Sequence, residues 1–149
     1  MKQNKVPISF NIASTLHAIE TVFDKNLQGS GIDIPSEAFG ILLMAYFKKD
    51  MIQQNIADIS KKDKSTVLRL INMLEKKKLV KREVNPLDKR ANFIVATANG
   101  KKMARQIIRK EAELFGKLTK NIPQYKLNIF ISVLLTLKLN AGTRLNETT

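Results

Sequence analysis

The stretch from residue 63 to 96 constrains this chain most. A helical run from Lys64 to about Lys78 is followed at once by two short runs rich in Val, Ile and Phe, near Leu79–Asn85 and Ala91–Ala96. At 100° per residue, Val67, Leu70, Ile71 and Leu74 share one side of the helix, which must pack on a core. Ser65, Arg69, Asn72 and Lys76 share the other, with Leu68 at its flank and no carboxylate among them. A major groove suits such a face. An arginine bonds O6 and N7 of guanine, an asparagine pairs with adenine, and a leucine meets a thymine methyl. Polar outer faces are also common on helices that merely meet solvent, so the neighbours decide. A short polar helix, about Gln53 to Ser60 and anchored by Ile56 and Ala57, precedes the run across a tight turn. Asp63 is placed to cap the helix, and Lys76, Lys77, Lys78, Lys81 and Arg82 load its exit. The loop Asn85-Pro86-Leu87-Asp88-Lys89-Arg90, too long for a tight hairpin, sets Arg90 on a wing.

The flanks are helical. From about Ile8 to Leu27, Ile12, Leu16, Ile19 and Phe23 recur at helical spacing, and Gly29-Ser30-Gly31 ends the segment. Asp33 as a cap and Pro35 in the first turn are expected to open a second helix, apolar nearly all round from Phe39 to Phe47 and therefore central. Thr97 is placed to cap a helix from Ala98 to about Leu118. Pro123 breaks the chain before a last helix, Tyr125 to about Leu139, and the tail Ala141–Thr149 is expected to fray. The fold class is mainly α: a winged helix-turn-helix with a small β-hairpin wing, flanked by N- and C-terminal helices. The last helix carries Leu127, Ile129, Phe130, Ile131, Val133, Leu134, Leu135 and Leu137, more than one small domain buries alone, so an obligate dimer is expected.

Charge identifies the class of partner. Lys and Arg total 26 against 13 Asp and Glu, a net +13, which calls for a polyanion: nucleic acid or an anionic membrane surface. The most apolar stretch, Leu127 to Leu137, is too short and too interrupted to span a bilayer, and no apolar run follows the basic Met1–Lys5 segment. A cytoplasmic protein without a membrane partner is expected. There are no cysteines, which excludes disulfides, thiolate zinc sites and thiol redox sensing. His17, the only histidine, lies off the apolar stripe with no cluster of N, S or O ligands around it, so no metal or cofactor is expected. No phosphate-binding glycine loop and no partnered nucleophile occur, which argues against an enzyme. Glu111, on the side of Ile107, Ile108, Phe115 and Leu118, reads as an edge carboxylate paired across a dimer, or as a residue that senses a ligand.

The run Asp63-Lys64-Ser65-Thr66-Val67-Leu68-Arg69-Leu70-Ile71, with Leu74-Glu75-Lys76-Lys77-Lys78-Leu79-Val80 after it, resembles the recognition helix and exit of the MarR (multiple-antibiotic-resistance-type) regulators. Pro86-Leu87-Asp88-Lys89-Arg90-Ala91 and Ala96-Thr97-Ala98-Asn99-Gly100 are similar to that family's wing and the start of its fifth helix, and Glu37-Ala38-Phe39-Gly40-Ile41-Leu42 to its second. The resemblance implies a homodimeric regulator, most often a repressor, on a pseudo-palindromic operator in double-stranded DNA. Residues 33–96 would form the DNA-binding region, and residues 1–32 and 97–149 the dimerisation region. Contacts to DNA would come from Lys62, Lys64, Ser65, Thr66, Leu68, Arg69, Asn72 and Lys76, and from Asp88, Lys89 and Arg90 at the wing. Arg90 would enter the minor groove, Asp88 would orient its guanidinium or brace the wing, and a small-molecule effector would bind at a site that the sequence does not identify. Three departures stand out. Lys61 and Lys62 replace the glycine and apolar residue usual in the turn, leaving Ile59 as the expected anchor, and Lys78 replaces the glycine that usually ends the recognition helix. The alternative is a winged-helix protein that binds nucleic acid without operator specificity.

Overall fold

The computed structural model describes residues 6–27 and 29–144. The basic run Met1–Lys5 and the end of the expected tail, residues 145–149, lie outside the described residues. Elements follow in the order α1 (Ile8–Leu27), a 3-10 turn (Ser36–Ala38), α2 (Phe39–Phe47), α3 (Gln53–Ser60), α4 (Lys64–Lys76), β1 (Val80–Val84), β2 (Asn92–Ala96), α5 (Ala98–Leu118) and α6 (Gln124–Arg144). The chain divides into two compact units, one up to Leu114 and one from Phe115 onward.

The core of the first unit is the apolar side of α4. Val67, Leu70, Ile71 and Leu74 are fully buried, packed in one cluster with Ile41 and Leu42 of α2, Ile56 of α3, Ile94 of β2 and Ile107 of α5. No polar side chain is buried among the described residues, so this core carries no desolvation cost for polar groups. At the end of α1 Phe23 meets Phe39 edge to face, with ring centroids 5.9 Å apart. Gly29 and Gly31 take φ of +77° and +79° just beyond α1, as its expected stop requires.

The second helix opens differently from expectation. Pro35 is extended, the N–H of Ala38 donates to the Pro35 carbonyl at 2.9 Å, and a 3-10 turn precedes α2. Asp33 does not cap it: Pro35 holds the cap position without a side-chain bond, and the Asp33 carboxylate pairs with Lys77 Nζ at 2.5 Å. Helix α4 ends at Lys76, and the chain then turns through Lys78 at φ +57°. There the N–H of Lys78 bonds the carbonyl of Glu75 (2.8 Å) and the N–H of Leu79 that of Leu74 (2.9 Å), a Schellman closure with lysine in the left-handed seat.

Strands β1 and β2 pair antiparallel from Val80 opposite Ala96 to Val84 opposite Asn92. A third short piece joins them: Ile52 bridges to Phe93, and the N–H of Ile94 donates to the Met51 carbonyl at 2.8 Å. The start of α3 is thereby tied to the wing. Thr97 caps α5, its Oγ1 accepting from the N–H of Gly100 (3.0 Å) and donating to the Lys78 carbonyl (2.7 Å).

In the second unit, α6 continues to Arg144, beyond the end expected near Leu139. Residues 140–144 carry no proline to stop it, and only one glycine. None of its described side chains is fully buried: Ile129, Phe130, Ile131, Val133, Leu135 and Leu137 all stand exposed.

Candidate nucleic-acid interface

The outward face of α4 starts from a closed cap. The Asp63 carboxylate accepts from the Thr66 N–H (2.8 Å), the Thr66 hydroxyl (2.7 Å) and the Ser65 hydroxyl (2.5 Å). Those bonds, the Ser65 hydroxyl's first and the two from Thr66 next, hold the carboxyl far below the usual carboxylate range, so the cap stays ionised. Ser65 and Thr66, both expected at the interface, thus give their hydroxyl protons to the cap. What they keep for any partner at this face is acceptor capacity and position.

Beyond the cap, Arg69 and Asn72 each have a definite partner. Arg69 donates through Nη2 to Glu37 Oε1 at 2.9 Å, across 32 residues of chain. Asn72 Oδ1 accepts from Arg82 Nη2 at 2.7 Å, and the other arm of Arg82 pairs with Glu75. Arg82 is half-buried on β1, on the same side of the strand as Val80. It welds the recognition helix to the wing strand. Leu68 is exposed between these groups.

Around this face stand the cations. Lys62 is half-buried and Lys64, Lys76, Lys89 and Arg90 are exposed, and none of the five has a carboxylate partner among the described residues. By contrast Lys77 and Lys81 are committed to Asp33 and Glu83. The wing loop is braced by its own side chains. Asn85 Oδ1 accepts from the Leu87 N–H and Asp88 Oδ1 from the Arg90 N–H, each at 2.9 Å. Asp88 therefore braces the wing backbone, and no bond joins it to the Arg90 guanidinium. Arg90 and Arg82, with Gln53, Ile52, Asn92 and Ile94, line a groove of about 220 Å³ between the wing and the start of α3.

The turn between α3 and α4 forms without the expected anchor, since Ile59 is exposed. Ile56 and Ala57 hold α3, and Lys61 takes the left-handed conformation (φ +54°) that a glycine would supply. Gln53 adds a clasp from the first turn of α3, its Nε2 donating to the Lys64 carbonyl at 3.3 Å.

Sequence reasoning missed Glu37 as the partner of Arg69 and Arg82 as the partner of Asn72. For Arg82 one signal was present: strand alternation puts it on the face of Val80, away from Lys81 and Glu83. Glu111 and His17, singled out in the sequence, are exposed. No group of three His, Cys, Asp or Glu among the described residues is placed to hold a metal ion, and no helix among them is long and apolar enough to cross a membrane.

The family comparison agrees with this geometry. A sequence model of the MarR family matches residues 34–91, the stretch from the 3-10 turn to the end of the wing loop. No curated protein matches the chain. The fold is similar to that of a MarR-family transcriptional regulator from Rhodococcus sp. RHA1 (TM-score 0.80, 20% identity, 92% of this chain and 96% of that one). It is also similar to CouR from Rhodococcus jostii RHA1, solved with p-coumaroyl-CoA (TM-score 0.77, 21% identity, 92% and 95%). A third likeness is to wild-type MarR from E. coli in its apo form (TM-score 0.76, 21% identity, 89% and 97%). The outward helix α4 with its cationic rim and the braced wing therefore lie in the stretch that is similar in sequence to the MarR family, and the chain has the winged helix-turn-helix fold of the MarR-family regulators it resembles.

Proposed function

We propose that the chain acts as a homodimer that binds a pseudo-palindromic operator, with α4 in the major groove and the Arg90 wing at the minor groove, most simply as a repressor. One observation carries this reading. The outer face of α4 presents Leu68, Arg69 and Asn72 within a rim of Lys62, Lys64, Lys76, Lys89 and Arg90, cations without carboxylate partners among the described residues. The rim meets phosphates and sets affinity, while the face meets base edges and sets sequence. Residues 33–96 serve as the reading head, and residues 1–32 with 97–149 as the dimerisation region. Ile8, Phe10, Ile12 and Leu16 are exposed along α1, and the apolar side chains of α6 along that helix. Apolar stretches of this length on a soluble chain are interaction surfaces. A second copy covers them.

A small-molecule effector belongs to the proposal. Its support is the match to the MarR family over residues 34–91, the structural likeness to CouR, solved with p-coumaroyl-CoA, and a cavity of about 370 Å³ lined by Glu20, Phe23, Asp24, Glu37, Phe39 and Lys62. An effector there lowers operator affinity by a coupling on the order of 1–3 kcal/mol, and the operator lowers effector affinity equally.

Half-site geometry tests the central reading. Two heads on one dimer contact half-sites about one helical turn, roughly 10 bp, apart. Inserting 5 bp between the half-sites of a duplex recovered by selection from randomised DNA is expected to abolish tight binding. Unchanged affinity, with little preference over scrambled duplex at moderate salt, would instead mark a binder without operator specificity.

A further inference from the structure

The pair Glu37–Arg69 joins a residue outside the helix-turn-helix to the guanidinium at the middle of the reading face. Glu37 sits in the 3-10 turn Ser36–Ala38, whose backbone is fixed by the fully buried Ala38 and by the bond from the Ala38 N–H to the Pro35 carbonyl. Arg69 projects from the recognition helix with its side chain 62% exposed, and that of Glu37 is 40% exposed. So exposed a bridge does little for stability. What it does is fix where a long, four-torsion side chain points.

We propose that Glu37 is a specificity-determining residue that positions Arg69 for base reading, an inference that rests on the DNA-binding function proposed above. The contact is single: one hydrogen on Nη2 goes to Oε1 at 2.9 Å, and Arg69 has no other partner among the described residues. Its other N–H donors stay available, and bidentate reading of guanine O6 and N7 needs only two. The carboxylate backs the guanidinium without occupying its reading edge. Electrostatics points the same way. A carboxylate at this surface is repelled by phosphate, and separating the pair on binding would leave that charge unmatched in a partly desolvated interface. The pair enters the complex together. Glu37 thereby lowers attraction for DNA in general and gives up less torsional freedom at Arg69 on the right base, so it trades affinity for discrimination. Sequence periodicity gave no hint of it, because the two residues stand 32 apart.

A double-mutant cycle tests this, measured by fluorescence anisotropy on two duplexes: one recovered by selection from randomised DNA, and one scrambled to the same composition. Glu37→Ala is expected to weaken binding to the selected duplex by roughly three- to tenfold. On the scrambled duplex it leaves affinity unchanged or tighter. Glu37→Gln, which keeps an acceptor for Nη2, loses less. In an Arg69→Ala background Glu37→Ala has no further effect on the selected duplex. Tighter binding of the Glu37→Ala protein to the selected duplex would overturn the proposal, because the bridge would then compete with DNA. An equal loss with and without Arg69 would overturn it too. If Arg69→Ala itself leaves the ratio of selected to scrambled affinity untouched, the reading face is elsewhere, and the proposal falls together with that placement of the helix.

Discussion

Lys78 closes the recognition helix from a left-handed seat, with φ at +57° and two backbone bonds of the Schellman pattern made around it. A side chain there costs about 1 kcal/mol relative to glycine, since Cβ crowds its own carbonyl. Lys61 sits in the same conformation at the end of α3. Two of the three sequence departures from the family pattern are therefore places where a lysine occupies a glycine's conformation, and the exposed side chains that result add positive charge beside the reading face. Lys78→Gly is expected to raise unfolding free energy by ~1 kcal/mol in urea melts, and any loss in DNA affinity should be equal on all sequences. A destabilised glycine variant would mean that the lysine side chain makes a stabilising contact in the folded protein.

Among elements, α5 is positioned by one close approach. A Cβ on Gly100 would collide with the Leu79 carbonyl oxygen, which is backbone and has no rotamer by which to escape. Thr97 caps the helix onto the same strand entry, so β1, the wing and α5 share one rigid corner. Gly100→Ala is expected to cost about 2–3 kcal/mol, read as a lower urea midpoint at unchanged slope. An unaffected midpoint would show that the corner yields. The same elements show what a sequence reveals and what it hides. The bounds of α1, α3 and α5 and the buried set Val67, Leu70, Ile71 and Leu74 were legible because periodicity and caps are local signals. The 3-10 turn before α2 was not, because Asp33 and Pro35 fit a helix start equally well, and neither the cap seat of Pro35 nor the pairing of Asp33 with Lys77, 44 residues away, leaves a local signal. Nor was the pairing of Met51 and Ile52 with the wing, since an isolated bridge leaves no alternation to detect. At the interface, residue types on the helix face were legible from the wheel, whereas the partners Glu37 and Arg82 depend on the assembled fold.

On the scale of the whole molecule, a net charge of +13 supplies attraction for any duplex, and discrimination has to come from a few groups at base edges. Long apolar helices outside the reading head suit a dimer whose symmetry matches an operator's, and inside the head side-chain bonds join the elements to one another. Its recognition helix is welded to the wing by Arg82 and to the turn before α2 by Arg69. Selection from randomised DNA, run in parallel on the parent and on Arg69→Ala, Arg90→Ala and Lys76→Ala, tests the central claim most directly. Arg69→Ala is expected to lose one symmetric pair of base preferences, at a cost of about 1–3 kcal/mol per half-site. Arg90→Ala should weaken binding chiefly where the flanking minor groove is A·T-rich. Lys76→Ala should keep the parental motif and flatten the salt dependence by about one unit per lost phosphate contact. A parental motif from Arg69→Ala beside a rewritten one from Lys76→Ala would contradict the account, and would move the reading face off this helix.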